Sequence, residues 1–164
     1  ESEQGYYIVD SQGVRLPGLY GREQVERMSL PRIVGVASDP PRRAGESWPA
    51  QDLQAGLSLV QLLAAEPYLY QIEAFDVSER DARGRIRLVL RTRQGAVIWG
   101  LPPGQEHAIE PGAPVKLDRL RLLVQKKGSI DAGGRVVEIY GPVIQTHQLP
   151  LGRGDRVGIY TIGP

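Results

Sequence analysis

The chain of 164 residues carries 20 Lys plus Arg against 19 Asp plus Glu and contains no cysteine. This near-neutral charge indicates no nucleic-acid partner, and the lack of cysteine excludes disulfides, thiol nucleophiles and thiolate metal sites. With 20 Gly and 13 Pro the chain is typical of a strand-rich globular domain, and no apolar run reaches the roughly 18 residues that span a bilayer.

The N-terminal part of the sequence predicts a hairpin, a short helix and a strand. Residues 6–16 contain two strand-like runs around a Gly-containing turn, and residues 21–28 space Val25 and Met28 for one side of a helix. A strand follows over residues 30–36. Since the chain begins with Glu1 rather than Met, we expect a piece of a longer or processed protein.

A long apolar helix is predicted after the proline-rich loop at residues 38–49. Pro49 suits the first turn of a helix, and Pro67 stops it after Glu66. Its apolar residues recur at spacings of three and four: Leu53, Leu57, Val60 and Ala64, with Leu59, Leu62 and Leu63 beside them. Such a wide stripe predicts a helix that packs on the apolar face of a sheet.

Residues 84–100 predict the central hairpin, preceded by a strand at residues 71–78. Apolar residues alternate with arginines, which is the period of a half-buried strand, and Gln94-Gly95 reads as a two-residue turn. This turn would place Leu90 opposite Trp99 and Arg91 opposite Ile98. The expected apolar face consists of Leu88, Leu90, Val97, Trp99 and Leu101.

The opposite face of this hairpin carries Arg85, Arg87, Arg91 and Arg93. We interpret this row as a solvated sheet face, because antiparallel sheets commonly expose one side to water. The alternative is a site for a polyanion. It is disfavoured because no aromatic residues interleave with the arginines, as single-strand binders require.

The second half of the sequence predicts a helix between two groups of strands. Pro114 opens the helix after a Pro- and Gly-rich loop, and Gly128 is placed to end it. Its apolar stripe consists of Leu117, Leu120 and Val124. Strands are predicted at residues 135–140, 143–147 and 157–162.

This order of elements predicts an α+β fold with a mixed, mostly antiparallel sheet and two main helices packed on one face. We expect a single domain over residues 1–164, with a main body at about residues 6–148 and a C-terminal extension at residues 149–164.

Motifs of catalysis are missing from the sequence. It has no nucleophile elbow, zinc-protease motif, Walker loop or Rossmann fingerprint, and its two histidines, His107 and His147, lie far apart. We therefore predict no catalytic residue, no metal and no cofactor. Two alternatives stay open: a metal site at His107 beside Glu106 and Glu110, and a hydrolase.

Several short motifs follow one another in the order seen in a known family. They are YIVDSQGVRL, LPRIVGV, the leucine-rich helix, the hairpin ending in IWG, the helix beginning VKLDRLRLL, and RVVEIYGPVIQTH. Over about residues 6–148 the chain thus resembles the C-terminal β domain of FtsQ/DivIB bacterial cell-division proteins.

The resemblance implies a non-enzymatic scaffold on the outer side of the bacterial inner membrane. Such proteins have a single-pass anchor and a POTRA domain upstream, and they bind FtsB/DivIC and FtsL to regulate septal peptidoglycan synthesis. FtsB adds a strand to an exposed sheet edge. The matching positions here are Val136, Glu138, Tyr140, Val143, Ile144, Gln145, Thr146 and His147, with Lys116, Arg119 and Arg121 as partners for acidic groups.

The edge itself can also be expected from the sequence. Residues 143–147 contain no lysine or proline that would protect an edge, so we expect this strand or residues 157–162 to lie at the rim of the sheet. Such a rim would accept a partner strand or a second copy of the chain. A polysaccharide-binding module is the alternative function, with Tyr68 and Tyr70 as aromatic residues that would share a face.

Overall fold

The computed structural model describes residues 5–148 of the chain. The predicted strand at residues 157–162 lies outside the described residues. The helices are α1 (Arg22–Met28), α2 (Gln51–Leu63) and α3 (Ala113–Lys127), with a short 3-10 helix at Leu69–Gln71. The strands are β1 (Ile33–Val34), β2 (Ile72–Asp76), β3 (Leu88–Thr92), β4 (Ala96–Gly100), β5 (Val136–Glu138) and β6 (Gln145–His147).

Within residues 5–148 the six strands form one sheet in the order of the sequence, from β1 to β6. The β1–β2 and β4–β5 pairs are parallel, and the other three pairs are antiparallel. Each parallel pair needs a long crossover, which α2 provides for the first pair and α3 for the second. The predicted α+β fold with a mixed, mostly antiparallel sheet is confirmed.

One face of the sheet forms the core together with both main helices. The register aligns one inward-facing row across five strands: Ile33, Phe75, Leu90, Val97 and Val137, all at most 2% exposed. Leu53 of α2 and Leu120 of α3 belong to the same hydrophobic cluster. Both helices therefore cover the same side of the sheet, as predicted.

Helix α2 is shorter than predicted, because it begins at Gln51 and ends at Leu63. Most of the expected stripe is buried, although Val60 is only half-buried and Ala64 is exposed beyond the last turn. At Gly56 a Cβ atom would lie 3.0 Å from side-chain atoms of Ile33 and Val77. The lack of a side chain there lets α2 approach the sheet closely.

The central hairpin has the predicted faces but a different register. Leu90 pairs with Val97 rather than Trp99, and Arg91 pairs with Ala96 rather than Ile98. The loop spans four residues instead of two and is closed by the Thr92 N–H, which donates to the carbonyl of Gly95 at 3.1 Å. Because the shift is two residues, every side chain keeps its face. The five predicted apolar positions are all buried.

The N-terminal segment packs beside α2 instead of forming a regular hairpin. Only isolated bridges join its runs, such as Val9 with Arg15 and Tyr6 with Tyr20. The predicted short helix is confirmed as α1. Side-chain amides of α2 reach this segment, since Gln61 Nε2 donates to the carbonyl of Ser11 at 2.8 Å.

Helix α3 has the predicted ends. Gly112 is its N-cap, Pro114 lies in its first turn, and Gly128 ends it with a left-handed φ of 78°. The buried face of α3 is rotated slightly from the predicted stripe. Leu120 and Leu123 are buried, whereas Leu117 and Val124 are only half-buried. Lys116, also buried, completes the inward face.

Candidate functional site: the edge strand

Strand β6 is the last strand of the sheet in the described part of the chain. It pairs with β5 alone among these residues, and all three of its residues are exposed. No lysine or proline lies within it. A strand without such protection offers its outer backbone groups to another strand.

The direction of the peptide groups follows from the hydrogen bonds of β5. The Ala96 N–H donates to the carbonyl of Arg135 at 3.0 Å, and the Ile139 N–H donates to the carbonyl of Ile98 at 3.2 Å. Peptide groups of successive residues point to opposite sides of a strand. The odd-numbered residues of β5 therefore face β4, and the even-numbered residues face β6.

This alternation identifies the residue of β6 that faces outward. The even-numbered Val136 and Glu138 pair with His147 and Gln145, so the peptide groups of these two β6 residues point back to β5. The peptide group of Thr146 consequently points away from the sheet. Its N–H and C=O are the donor and acceptor that an added strand would meet first.

An arginine of α3 holds the turn that leads into β6. The Arg119 guanidinium donates to the carbonyls of Ile139 and Gly141, both at 2.6 Å, and to that of Pro142 at 2.8 Å. These carbonyls belong to a non-helical turn and lack strand partners, so the guanidinium satisfies them. Arg119 therefore positions the edge and is not free to pair with a partner's acidic group, which corrects the prediction for this residue.

Side chains around β6 differ between the two faces of the sheet. Ile144 is half-buried against the core, whereas Val143 is 62% exposed. On the outer face His147 Nε2 lies 3.3 Å from a carboxylate oxygen of Glu138. The neighbouring Tyr140 is half-buried, and burial, together with the charge of Glu138, raises the pKa of its hydroxyl.

Strand β5 cannot serve as an edge, although the resemblance places partner-binding positions on it. It lies between β4 and β6, and its peptide groups are directed to those two strands. Val136 and Glu138 are thus limited to side-chain contacts, whereas Tyr140 lies beyond the end of β5. Among the predicted positions that lie in β5 and β6, only Thr146 directs its backbone groups away from the sheet.

The basic surface predicted for α3 is wrong for Lys116. This side chain is fully buried, with its Nζ 2.6 Å from Glu110 Oε1 and 5.0 Å from the centre of the Trp99 ring. Burial lowers the pKa of the Lys116 ammonium, and the carboxylate of Glu110 opposes that shift. The lysine is a core residue that lies one and two turns from the buried Leu120 and Leu123.

Arg121 is exposed, but its charge is already balanced. It lies 2.6 Å from a carboxylate oxygen of Glu66 and 3.0 Å from one of Asp118. The hydrogen bond from Arg121 keeps the pKa of Glu66 low. The three basic residues predicted for partner binding therefore form no free basic patch.

The arginine row on the outer face agrees with its interpretation as an ordinary sheet surface. Arg85 pairs with Asp81 and Arg87 with Glu79, at 2.7 and 3.4 Å. Arg91 pairs at 2.6 Å with Asp76, whose side chain is 1% exposed. Three of the four arginines thus have acidic partners within the fold, which leaves little free charge for a polyanion.

The geometry supports neither a sugar-binding pair of tyrosines nor a metal site at His107. Tyr68 is buried whereas Tyr70 is 83% exposed, so the two rings do not form a shared sugar-binding surface. His107 is exposed, while Glu110 bonds to Lys116 and to the Leu101 N–H. Between residues 5 and 148 no three acidic or histidine side chains are grouped as metal ligands.

A shallow cleft near the start of α2 contains one buried carboxylate. Asp52 accepts hydrogen bonds from the Ala37 and Leu53 N–H groups and lies 3.7 Å from Arg80. Trp48 also lines the cleft, but its ring is buried and its Nε1 donates to Ser38. The polar groups of this cleft are used to connect α2 to the preceding loop.

No family model, curated protein or solved structure matches the chain. None of the helices in the described range has the length and apolar character required to cross a bilayer.

Proposed function

We propose that this protein is a non-enzymatic scaffold of the bacterial division machinery, located on the outer side of the inner membrane and attached through an upstream anchor. It holds an FtsB/DivIC-like protein, together with an FtsL-like protein, and so takes part in regulating septal peptidoglycan synthesis. The observation that carries the proposal is the outward peptide group of Thr146 on the exposed strand β6.

Strand addition is the mode of binding that this edge favours. A partner strand would gain main-chain hydrogen bonds from Thr146 and from the flanking even-numbered residues. Specificity would come from the side chains at the rim: Val143 and Ile144 offer apolar contacts, and the Glu138–His147 pair offers polar contacts. The identity of the partner is inferred from the order of the sequence motifs, which resembles that of the FtsQ/DivIB family.

The central experiment replaces Thr146 with proline. Thr146→Pro removes an outward N–H from an edge strand, a position where proline leaves the ladder to β5 intact. Binding of the FtsB/DivIC-like protein from the same organism should weaken at least about tenfold. The reason is that the hydrogen bond from the Thr146 N–H to the partner strand is lost, and the adjacent hydrogen bonds to that strand are lost with it. Calorimetry with purified proteins measures this change.

Two further variants separate loss of the edge from loss of the fold. Thr146→Ala keeps the N–H and should bind like the natural protein. Gln145→Pro removes an N–H that points to β5, so it should lower the melting temperature as well as binding. Full binding by Thr146→Pro would contradict the proposal and direct attention to the exposed side of α3.

A further inference from the structure

One end of the sheet gathers exposed basic residues from three parts of the chain. The loop between β3 and β4 carries Arg93, the last turn of α3 carries Lys126 and Lys127, and Arg135 directly precedes β5. All four residues are exposed. They are called the basic end below.

The topology of the sheet brings these residues together. Strands β4 and β5 are parallel, so the crossover helix α3 ends near the point where both strands begin. The Ala96 N–H donates to the carbonyl of Arg135 at 3.0 Å. A Cβ atom on Gly134 would lie 3.1 Å from the Cβ of Gln94. The connection from α3 to β5 therefore lies against the loop that carries Arg93.

The charges of the basic end are not balanced within the fold. None of its four cations forms an ion pair within residues 5–148. Glu66 pairs with Arg121, and the buried Asp131 accepts hydrogen bonds from two hydroxyl groups. Glu73, at the start of β2, is exposed and has no ion pair in the same range. Four unpaired cations thus stand against one unpaired carboxylate in this part of the structure.

An exposed aromatic ring lies beside the basic end. Tyr70, which is 83% exposed, belongs to the 3-10 helix that leads into β2. The side chain of Gln71 accepts a hydrogen bond from the Ile130 N–H at 2.9 Å, so this helix contacts the connection between α3 and β5. A Cβ atom at Gly128 or Gly133 of that connection would have no neighbour within 4 Å. Nothing in the described connection therefore covers the neighbouring charges.

We propose that the basic end docks on the anionic surface of a lipid bilayer. Lysine and arginine are attracted to acidic phospholipid headgroups, and tyrosine favours the boundary between headgroups and water. Because no ion pair holds the four cations, each can reach a different headgroup of a planar array. A single-stranded nucleic acid is disfavoured, since it would need several stacking rings and the described end presents Tyr70.

Docking at this end would set the orientation of the sheet. Strands β4 and β5 begin at the basic end, so they would stand upright on the bilayer. The outward peptide group of Thr146 lies on the rim of the sheet and would stay accessible to a partner strand. The docking does not depend on the division role, and its test needs no protein partner.

Vesicle co-sedimentation of the full chain tests the proposal. The chain should bind vesicles of phosphatidylcholine and phosphatidylglycerol in equal parts at least about tenfold more tightly than vesicles of phosphatidylcholine alone. This binding should weaken as salt is added, because ions screen the attraction between exposed charges. Equal binding to the two kinds of vesicle, or no binding to the anionic ones, would overturn the proposal.

A triple variant identifies the surface that binds. Arg93→Gln/Lys127→Gln/Arg135→Gln should bind the anionic vesicles about a hundredfold more weakly, since each basic residue near an anionic surface contributes about fivefold. All three residues are exposed, so the melting temperature should not change. An unchanged affinity would refute docking through this end.

The matched control removes the same charge from the opposite end of the sheet. Arg42, Arg43 and Arg83 are exposed and lie in the loop before α2 and in the connection from β2 to β3. The triple glutamine variant of these arginines should bind like the natural chain. Equal losses in the two triple variants would show attraction through net charge alone and would overturn the proposal.

Tryptophan fluorescence gives an independent measurement of which end meets the bilayer. Both natural tryptophans, Trp48 and Trp99, are buried, so an added exposed tryptophan can be followed against them. The emission of Tyr70→Trp should shift to shorter wavelength when anionic vesicles are added. Ala82→Trp places the probe at the opposite end and should not shift. No shift with Tyr70→Trp, or equal shifts in both variants, would contradict the proposed docking.

Discussion

The two faces of the sheet bury their residues by different means. On the inner face Leu90 and Trp99 are fully buried beneath the helices by apolar contact. On the outer face Asp76 is almost as deeply buried, but there it is covered by the Arg91 guanidinium. Residue type alone therefore does not tell which positions are buried. The Arg91 ion pair covers Asp76 on the outer face, and the helices cover the inner face.

The largest effect is expected from removing the central aromatic residue of the inner face. Trp99→Ala should lower the free energy of unfolding by about 3–5 kcal/mol, because the side chain is fully buried between α3 and the sheet. Urea denaturation measures the change. Ile98 lies next to it on the outer face and is only half-buried, so Ile98→Ala should cost clearly less. Equal costs would mean that the two faces do not differ as described.

The second largest effect is expected from removing the charge of Lys116, which is buried on the inner face. Lys116→Met should lower the free energy of unfolding by about 3 kcal/mol, because it leaves the Glu110 carboxylate without its buried cation. Thermal unfolding at neutral pH measures this loss.

The matched double variant distinguishes a lost charge from lost packing. Lys116→Met/Glu110→Gln removes both charges and keeps an acceptor for the Leu101 N–H, so it should recover most of the stability. If the double variant is no more stable than Lys116→Met, the contact of the lysine with Trp99 matters more than its charge.

A smaller effect is expected on the outer face. Arg91→Ala should lower the free energy of unfolding by about 1–2 kcal/mol, because the buried Asp76 loses its guanidinium partner. Arg93 has no acidic partner in the described part of the chain, and Arg93→Ala should change stability by less than about 0.5 kcal/mol. Denaturation midpoints of the two variants compare them directly.

The smallest effect concerns acid stability at the end of the hairpin. Burial alone would raise the pKa of Asp131, but hydrogen bonds from Ser129, Thr92 and two glycine N–H groups outweigh it and leave the pKa lowered. A lowered pKa stabilises the fold above about pH 4, and this contribution is lost as the pH falls further. Melting temperatures of Asp131→Asn should therefore fall less steeply than those of the natural chain between about pH 4 and pH 2. Parallel curves would contradict this.

The faces of the sheet and the positions of the main helices could be predicted from periodicity. An alternation of two in residues 84–100 assigns each side chain to a face, and spacings of three and four define the buried sides of α2 and α3. These patterns depend on the sequence close to each residue. The face that each side chain occupies is therefore predicted correctly even where the strand register differs from the prediction by two residues.

The register and the buried lysine depend on contacts between distant parts of the chain. Thr92 closes the hairpin loop and also donates to Asp131, so a residue outside the hairpin contributes to the four-residue loop. The charge of Lys116 predicts a surface position, which is wrong. Its spacing from Leu120 and Leu123, four and seven residues, is the signal that it belongs to the buried stripe.

The candidate site could be predicted in part. The lack of lysine and proline at residues 143–147 predicts that this strand or residues 157–162 lie at the edge, and β6 lies at the rim of the described sheet. The interior position of β5 depends on a parallel crossover, which the strand pattern alone does not specify. Likewise, the outward direction of Thr146 follows only from the hydrogen bonds of Arg135 and Ile139.

The parallel pairing of β4 with β5 also determines when the edge can form. About forty residues, including all of α3, separate Val97 from its partner Val137, so this pairing closes a long loop. Helix α3 must dock before Arg119 can hold the turn that leads into β6. The turn that leads into β6 is therefore held in place only once α3 has docked. We therefore expect a folding chain to present the outer backbone groups of β6 to other strands only after α3 has packed on the core.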